Sequence, residues 1–373
     1  MTTQRELELS AKLDELRAAS IQTILKYQSK NGAYIASPNF GVYNYSWFRD
    51  GAFIADAMLD SGEVQSAKLF HDWVAQVVIQ RKAKIEELMD RREKGLEILP
   101  DEHLHCRYTV DGQEAEESWT NFQLDGFGTW LWSLERYQSS GSKISGEQIE
   151  AVKLLIAYLI CFWQDPSFDW WEESFGYQHI STLGSISAGL KAAANLKIGD
   201  SVASAKASMT SLEIKSFILE NGTEGNRLIK WVKGAGLDGS LSALIAPLNL
   251  FESTSELSIN TVMEIDESLG RFGTYRHKDD VYFGGGKWII LSAFLGLAHL
   301  EIGNQEIAKS ILVWILESAD ENLDLPEQLP APLLHPEHRS DWIKRWGEPA
   351  NPLLWSHAMY LKLLASVQRS ERF

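Results

Sequence analysis

The chain has 373 residues, of which 45% are hydrophobic and 23% charged, a composition typical of a globular protein and too apolar for a disordered one. Its formal net charge of -16 repels phosphate backbones and anionic lipid headgroups, and its 35 basic residues form no stripe, so we expect neither nucleic acid nor a membrane as partner. No apolar run reaches the roughly 18 residues of a membrane span, and the N-terminus lacks a secretory signal, so a cytoplasmic protein is expected.

Helical periodicity runs along most of the chain, and clear strand alternation is scarce. Residues 149–162 carry apolar side chains at helical spacing, directly after a capping-box pattern formed by Ser145 and Gln148. A second box, Ser253 with Glu256, predicts the start of another helix. Further helices are predicted over residues 5–28, 48–61, 63–80, 121–137, 179–195, 199–219, 286–300, 304–318 and 353–367, with a weaker one near 239–248.

The predicted helices, about a dozen in number, follow one another as hairpins joined by short loops. The sequence has no fixed-period repeat of the kind that builds open solenoids, so closure into a ring, with one helix layer inside another, is preferred. No shift in composition marks a linker. The sequence therefore predicts an all-α fold with a single domain over residues 1–373.

Two segments depart from this pattern. Residues 81–103 carry a dense run of charges, which predicts a solvated helix extension or a mobile loop. Residues 320–352 are rich in proline and cannot form one regular helix. Because long irregular segments in compact domains are usually functional, and this one holds Trp342 and Trp346, we interpret it as a wall of an active site.

Two loops combine carboxylates with aromatic rings. The first, at the start of the second predicted helix, holds Arg49 and Asp50, a fork-shaped donor and an acceptor that together suit two hydroxyls of one sugar. The second places Glu172 and Glu173 among aromatic residues. Apolar surroundings and a like-charged neighbour keep a carboxylic acid protonated near neutral pH, as a general acid requires.

A third loop, residues 276–285, repeats the combination of arginine, acid and aromatic residue before a helix. Its glycine run lacks the Lys-Ser/Thr ending of a phosphate loop, so a tight backbone turn is the simpler interpretation. A further carboxylate, Glu327, follows a proline that stiffens its turn. Taken singly, each feature has a structural alternative, such as an ion pair at a helix end or an acidic pair at the surface.

Six segments stand together in the order and spacing of one family's motifs. In chain order they are Tyr45 to Asp50, Gln123 to Gly126, Trp171 to Gly176, Arg276 to Gly285, Glu327 with Gln328, and Leu353 to Ala358. They resemble family 15 of the glycoside hydrolases, the glucoamylases and their short bacterial relatives, over essentially the whole chain. The resemblance implies a six-hairpin α/α toroid with a funnel-shaped site that needs no cofactor and no metal.

The resemblance also assigns roles to individual residues. Glu172 matches the general acid and Glu327 the general base of an inverting glycosidase, while Glu173 matches a carboxylate near the leaving group. Arg49 and Asp50 match the residues that hold the terminal glucose. The further substrate contacts implied by the matched motifs are Tyr45, Trp47, Gln123, Asp125, Trp171, Arg276, Asp280, Trp288 and Trp355.

The same resemblance narrows the range of expected substrates. Short members of the family look like isomaltose glucohydrolases, so the first prediction is release of β-glucose from α-1,6-linked disaccharides and oligosaccharides, with isomaltose and glucose as ligands. Maltose-type α-1,4 links and trehalose are the alternatives. The sequence shows neither the β-rich domain of many bacterial members nor a starch-binding module, which favours short oligosaccharides. Where the family commonly has Tyr-Pro-Glu-Asp, residues 277–280 read His-Lys-Asp-Asp, which alters the region beyond the first sugar.

Two other classes of function remain open at this point. A sugar isomerase or epimerase on the same toroid is one, because fold does not dictate function. Such enzymes use histidines as acid and base, so substituting His179 and His357, rather than Glu172 and Glu327, separates the hypotheses. A noncatalytic sugar-binding protein is the other, and glucose release from isomaltose would exclude it.

Overall fold

The computed structural model describes residues 4–115 and 118–371, which are predominantly helical. Its helices are α1 (Gln4–Tyr27), α2 (Phe48–Asp60), α3 (Val64–Gln80), α4 (Lys82–Glu93), α5 (Asp125–Ser139), α6 (Gly146–Phe162), α7 (Ile180–Asn195), α8 (Ser201–Asn221), α9 (Ser242–Ile245), α10 (Glu256–Leu269), α11 (Ile289–Glu301), α12 (Gln305–Glu317), α13 (Arg339–Trp346) and α14 (Leu354–Ser370). Its strands are β1 (Ser46–Trp47), β2 (Arg107–Tyr108), β3 (Thr223–Glu224), β4 (Arg227–Leu228), β5 (Lys287–Trp288) and β6 (Gln328–Leu329), which pair in sequence order as three antiparallel ladders.

Six helices form a closed inner ring. Going round the ring, α2 contacts α5, α5 contacts α7, α7 contacts α9, α9 contacts α11, α11 contacts α14, and α14 returns to α2. Nearly every residue of α7 and α11 is buried, because these helices are apolar or small on all sides and are covered on all sides. The prediction that the hairpins close into a ring is confirmed.

An outer layer of six helices surrounds this ring. It consists of α1, α3, α6, α8, α10 and α12, which alternate along the chain with the inner helices. The outer helices bury one face only, as amphipathic helices do. In α1, for example, the buried residues are Leu16, Ser20, Ile21 and Ile24. The fold is therefore a six-hairpin α/α toroid, as predicted.

Two capping boxes were predicted, and the structure shows how the corresponding helices α6 and α10 begin. The box of Ser145 and Gln148 is confirmed, because each side chain accepts a hydrogen bond from the other residue's backbone N–H, at 3.1 and 2.9 Å. The second box was wrong. Helix α10 is capped by Ser255, whose hydroxyl accepts from the backbone N–H of Ser258 at 3.2 Å. Ser253 precedes that cap by two residues and lies in the turn before the helix.

Other boundaries also differ from the predictions. Residues 82–93 of the charged segment form α4, so the helical interpretation holds for that part, whereas the rest of the segment is irregular apart from a 3-10 turn at Pro100–Glu102. The helix expected from residue 286 begins at Ile289, because the two residues before it pair as β5 with β6. The weak helix near 239–248 reduces to a 3-10 turn and the four residues of α9. In the proline-rich segment, α13 is a short helix that the sequence did not predict. Among the described residues, no helix is long and apolar enough to cross a membrane.

Two of the strand ladders fix loops at the end of the ring where α2 and α11 begin. The β1–β2 ladder pairs Trp47 with Arg107 immediately before α2. The β5–β6 ladder pairs Trp288 with Gln328 immediately before α11, and Glu327 is the residue next to this pair. These short ladders tie irregular loops to the rigid inner helices, which gives the loop side chains defined positions.

Candidate active site

A cavity of about 590 Å³ opens at this end of the ring, and most residues singled out from the sequence line it. Its walls come from the loop before α2, the loop between α6 and α7, the loop between α10 and α11, and the segment after α12. Ten of the predicted site residues line the cavity, namely Trp47, Arg49, Asp50, Trp171, Glu172, Glu173, Arg276, Trp288, Glu327 and Trp355. The interpretation of the proline-rich segment as a wall agrees with this, because Trp342 and Trp346 also line it.

Three predicted contact residues lie behind the lining and hold the two buried arginines. Arg49 donates from Nη1 to the Gln123 side chain at 3.0 Å and to Asp125 at 3.1 Å. Arg276 donates from Nε to Asp280 at 2.8 Å. In the structure these three groups orient the arginines rather than face the cavity. They are therefore positioned to act on a substrate through the two guanidinium groups.

Tyr45 is the fourth predicted residue that does not line the cavity. Its ring packs against the guanidinium of Arg107 at 4.2 Å and against the ring of Trp47. Tyr43 lines the cavity instead. Tyr43 ends a 3-10 turn at residues 41–43, whereas Tyr45 directly precedes β1, so the two tyrosines lie in different local structures.

Glu172 sits in a strained loop with its carboxyl group turned into the cavity. It accepts a hydrogen bond of 2.6 Å from Nε1 of Trp47. Its backbone has φ of 65°, a left-handed conformation that is costly for a residue other than glycine. The turn is held by Asp169, which accepts from the backbone N–H groups of Trp171 and Glu173 at 2.9 and 2.8 Å. Burial raises the pKa of Glu172, although the charge of Arg49 opposes that rise.

The adjacent Glu173 has the opposite electrostatic environment. Its carboxylate lies 3.0 Å from Nη2 of Arg276 and 3.5 Å from Nε2 of His277. Burial alone would raise its pKa, but the charge of Arg276 and the nearby imidazole of His277 outweigh burial and lower the pKa to about 2. Two neighbouring carboxyl groups with pKa values shifted in opposite directions suit one proton donor and one fixed anion.

Glu327 lies on another wall of the cavity and is almost completely buried. Its Oε1 accepts a hydrogen bond of 2.7 Å from the hydroxyl of Tyr43, which lies 3.0 Å from the hydroxyl of Tyr282. Its Oε2 has no hydrogen-bond partner among the described residues. Burial raises the pKa of Glu327 to about 7, against the opposing effect of the hydrogen bond from Tyr43. The free oxygen is available to a water molecule or a substrate hydroxyl.

An aromatic contact links the two glutamates. Glu172 bonds Trp47, Glu327 bonds Tyr43, and the two aromatic rings meet edge to face with centroids 5.6 Å apart. This arrangement places one carboxyl group of raised pKa on each of two walls of one cavity. It permits a proton to be given on one side of a bound molecule and taken on the other.

Sequence reasoning missed several cavity residues. Tyr43 and Tyr282 lie in loops that the sequence singled out, but their positions gave no signal that they would contact Glu327. Arg345 lines the mouth of the cavity with its guanidinium 4.7 Å from the ring of Trp346. Trp119 was also missed, and it lines the cavity from the loop before α5.

The histidines proposed for an isomerase lie outside the cavity. His357 is buried, bonded to the hydroxyl of Ser20 and to the backbone N–H of Leu325. His179 contacts the backbone oxygen of Ser174. Burial lowers the pKa of both histidines, to about 3 and about 4 respectively. No histidine among residues 4–115 and 118–371 lines the cavity, so the geometry gives the isomerase hypothesis no acid or base of that kind.

The two aromatic donors predict separable changes in the pH profile. The resemblance implies that Glu327 acts ionised, as the base, and Glu172 acts protonated, as the acid. Tyr43→Phe removes a hydrogen bond that favours ionised Glu327, so on these roles we expect its pKa to rise and the acid limb of kcat/KM to move to higher pH. Trp47→Phe removes the corresponding donor to Glu172, so the alkaline limb should move to higher pH instead. A hydrogen bond to a charged group is worth about 1.5–3 kcal/mol, which corresponds to shifts of roughly one to two pH units.

The measurement is kcat/KM on a disaccharide across the pH range for both variants and for the control Tyr177→Phe. Tyr177 is exposed and does not line the cavity, so this control should leave both limbs in place. If Tyr43→Phe and Trp47→Phe moved the same limb, the two glutamates could not have separate titration roles.

Comparison with known proteins identifies the family to which the chain is similar. A family model described as "Glycosyl hydrolases family 15" matches residues 13–317. The isomaltose glucohydrolase of Kribbella flavida is 37% identical over 356 residues, which cover 95% of this chain and 92% of that protein. A glycosidase variant solved in complex with glucose is 36% identical, with a TM-score of 0.94 over 98% of this chain and 99% of that one. The glucoamylase of Saccharomycopsis fibuligera is 16% identical and shares the fold, with a TM-score of 0.74 over 96% of this chain and 95% of that one.

Proposed function

Because the chain belongs to family 15 of the glycosyl hydrolases and is a glycoside hydrolase, we propose that it is an exo-acting, inverting α-glucosidase of short α-glucans. In this proposal it removes single glucose units as the β-anomer from non-reducing ends. We also propose that residues 1–373 form one catalytic domain, and the closed ring of inner helices from α2 to α14 supports this.

One observation carries the proposal. Two carboxyl groups with raised pKa, Glu172 and Glu327, face the same cavity from different walls and make no hydrogen bond to each other. An inverting glycosidase needs an acid on one side of the sugar ring and a base on the other, roughly 6.5–9.5 Å apart, with room for one water. The unpartnered Oε2 of Glu327 supports its assignment as the base that receives the proton of this water.

The reaction follows in one displacement. Glu172 donates its proton to the glycosidic oxygen while the bond from that oxygen to the anomeric carbon breaks. A water molecule attacks the anomeric carbon from the opposite face and gives a proton to Glu327. The oxocarbenium-like transition state carries positive charge on the sugar, which the neighbouring carboxylates stabilise. The product is β-glucose.

The terminal glucose is held at the inner end of the cavity. Asp50 lines this region with its Oδ2 3.4 Å from Nε of Arg49, and the guanidinium of Arg49 lies over the rings of Trp170 and Trp355. A carboxyl group beside a guanidinium donor suits adjacent sugar hydroxyls, and the aromatic rings suit the apolar faces of a pyranose. The cavity size falls in the range of small-molecule sites, which fits a disaccharide better than a polymer.

We propose isomaltose and related α-1,6-linked oligosaccharides as the preferred substrates. The similarity to a protein named isomaltose glucohydrolase supports this choice over maltose and trehalose. The test is the initial rate of glucose release from equal concentrations of isomaltose, maltose and trehalose. The proposal expects the largest kcat/KM for isomaltose. A larger value for maltose or trehalose would overturn the linkage preference and leave the hydrolase assignment intact, whereas no glucose from any of them would overturn the function.

The mouth of the cavity is expected to bind the leaving sugar. Trp346→Ala removes an aromatic wall on the side of α13, so we expect KM for isomaltose to rise roughly three- to tenfold with little change in kcat. The matched control is Trp314→Ala on α12, a partly buried tryptophan that does not line the cavity. Initial-rate kinetics on both variants provide the measurement. An equal change in KM for the two variants would remove α13 from the binding site.

A further inference from the structure

The outer helix α8 exposes an unusually apolar stripe. Val202, Met209, Leu212 and Leu219 are 64%, 70%, 63% and 44% exposed, and all four lie on this one helix. Large exposed apolar patches are uncommon on monomeric proteins and mark interaction sites. No residue of α8 lines the cavity, so the stripe has no part in the proposed catalysis.

The spacing of the stripe is that of a coiled coil. Together with the small exposed residues Ala205 and Ser216, its members fall at alternating intervals of three and four residues, which are the a and d positions of a heptad. This seam lies on the side of α8 away from its buried residues, which are Ala207, Thr210, Ser211, Ile214 and Ile218. It has the form of a surface that accepts one further helix.

The stripe is also symmetric about its centre. Met209 and Leu212 stand at equal distances on either side of the midpoint of the stripe, between residues 210 and 211, and so do the outermost members, Val202 and Leu219. When a second copy of α8 lies antiparallel across the first, each a position therefore meets a d position of the other copy. A twofold dimer requires this kind of self-complementary surface.

Charges beside the stripe fit the same arrangement. Lys206 and Glu213 occupy the two e positions on either side of the midpoint, and both are exposed without an ionic partner within 4 Å among the described residues. In an antiparallel pair the e positions of the two helices face each other, so each Lys206 lies opposite Glu213 of the second copy. The g positions bring together Ser208 and Lys215, so this register opposes no like charges.

We propose that α8 is the interface of a twofold homodimer in which the α8 helices of two copies of this chain pack antiparallel. The helix is 21 residues long, about 30 Å, and a contact of that length lies toward the smaller end of specific interfaces. The dimer should therefore dissociate at concentrations on the order of micromolar. Each protomer keeps its own complete cavity, so the dimer does not alter the chemistry of either site.

The first experiment is sedimentation velocity of the full-length protein from below one to about one hundred micromolar. We expect the sedimentation coefficient to rise with concentration from that of a monomer to that of a dimer. Met209→Glu should keep the protein monomeric throughout. The matched control is Met263→Glu, which places the same charge at a methionine that is 41% exposed on the outer helix α10. This control should dimerise like the parent, and both variants should hydrolyse the substrate at the parental rate.

A charge exchange tests the antiparallel register. Lys206→Glu sets two acids against each other and should weaken dimerisation at least tenfold, and adding Glu213→Lys to it should restore the parental value. In a parallel pair Lys206 would face Ser201 and Glu213 would face Ser208, so the exchange would have no such effect. The proposal is overturned by a monomer at every concentration, by a dimer that Met263→Glu rather than Met209→Glu disrupts, or by a failure of the double exchange to restore association.

Discussion

Glu327→Gln is expected to lower kcat by two to four orders of magnitude while leaving KM within a fewfold of the parent. The amide cannot accept the proton of the attacking water, and general base assistance contributes about this factor. The matched control is Glu321→Gln, an exposed glutamate in the same connection after α12. It should keep full activity. Retention of activity by Glu327→Gln would remove this residue from the mechanism.

The same variant also tests the raised pKa of Glu327 through its effect on the stability of the folded protein. Burial raises the pKa of Glu327 above its unfolded value, so the folded protein pays for ionising this group as the pH rises from about 4.5 to about 7. The glutamine variant has no such cost. Its thermal unfolding temperature at pH 8 should therefore equal or exceed that of the parent, and the difference should disappear near pH 4, where the carboxyl group is protonated in both states. A less stable variant at pH 8 would contradict the assigned shift.

Glu172→Gln is expected to reduce kcat on isomaltose by a similar factor, but with a different dependence on the leaving group. A sugar alkoxide leaves only when it receives a proton, whereas nitrophenolate leaves without one. We therefore expect Glu172→Gln to lose much less activity on a nitrophenyl α-glucoside than on isomaltose. Glu327→Gln should lose about the same factor on both substrates, because both reactions need an activated water.

The measurement is kcat of Glu172→Gln and of Glu327→Gln on both isomaltose and the nitrophenyl α-glucoside, and the loss of activity is compared between the two substrates for each variant. Glu173→Gln serves as the neighbouring control, because Glu173 pairs with Arg276 and is ionised, so it has no proton to donate. Its substitution should raise KM without making the loss depend on the leaving group. If Glu172→Gln lost the same factor on both substrates, the assignment of Glu172 as proton donor would be wrong.

Most of the fold was predictable from periodicity, and its exceptions have local causes. Long helices with a continuous apolar face, such as α6 and α12, are signalled by many residues, so their ends were predicted within a few positions. The short inner helix α9 has only four residues and carries almost no periodic signal. It is stable because the neighbouring inner helices bury it. Ser255 displaced Ser253 as a cap because hydrogen bonding at a helix start depends on the preceding turn, which periodicity does not report.

The sequence identified the loops that form the site, but it predicted fewer of the contacts between their side chains. Carboxylates and arginines among aromatic residues marked the right segments, because such groups are rarely placed together without a ligand or ion pair. Which aromatic ring faces the cavity depends on the path of the loop. Tyr43 rather than Tyr45 lines it because a 3-10 turn precedes the strand β1. The contact between Tyr43 and Glu327 joins positions far apart in sequence and follows only from closure of the ring.

The proposed mechanism requires Glu172 and Glu327 to act on opposite faces of one glucose ring, and the configuration of the released sugar reports this directly. Purified protein is mixed with isomaltose, and the anomeric protons of the new glucose are followed by NMR from the first minute, before mutarotation mixes the forms. β-Glucose should appear first and α-glucose only later, at the rate of mutarotation. If α-glucose appeared first, the configuration would be retained, and a water activated by Glu327 on the face opposite to Glu172 could not be the nucleophile.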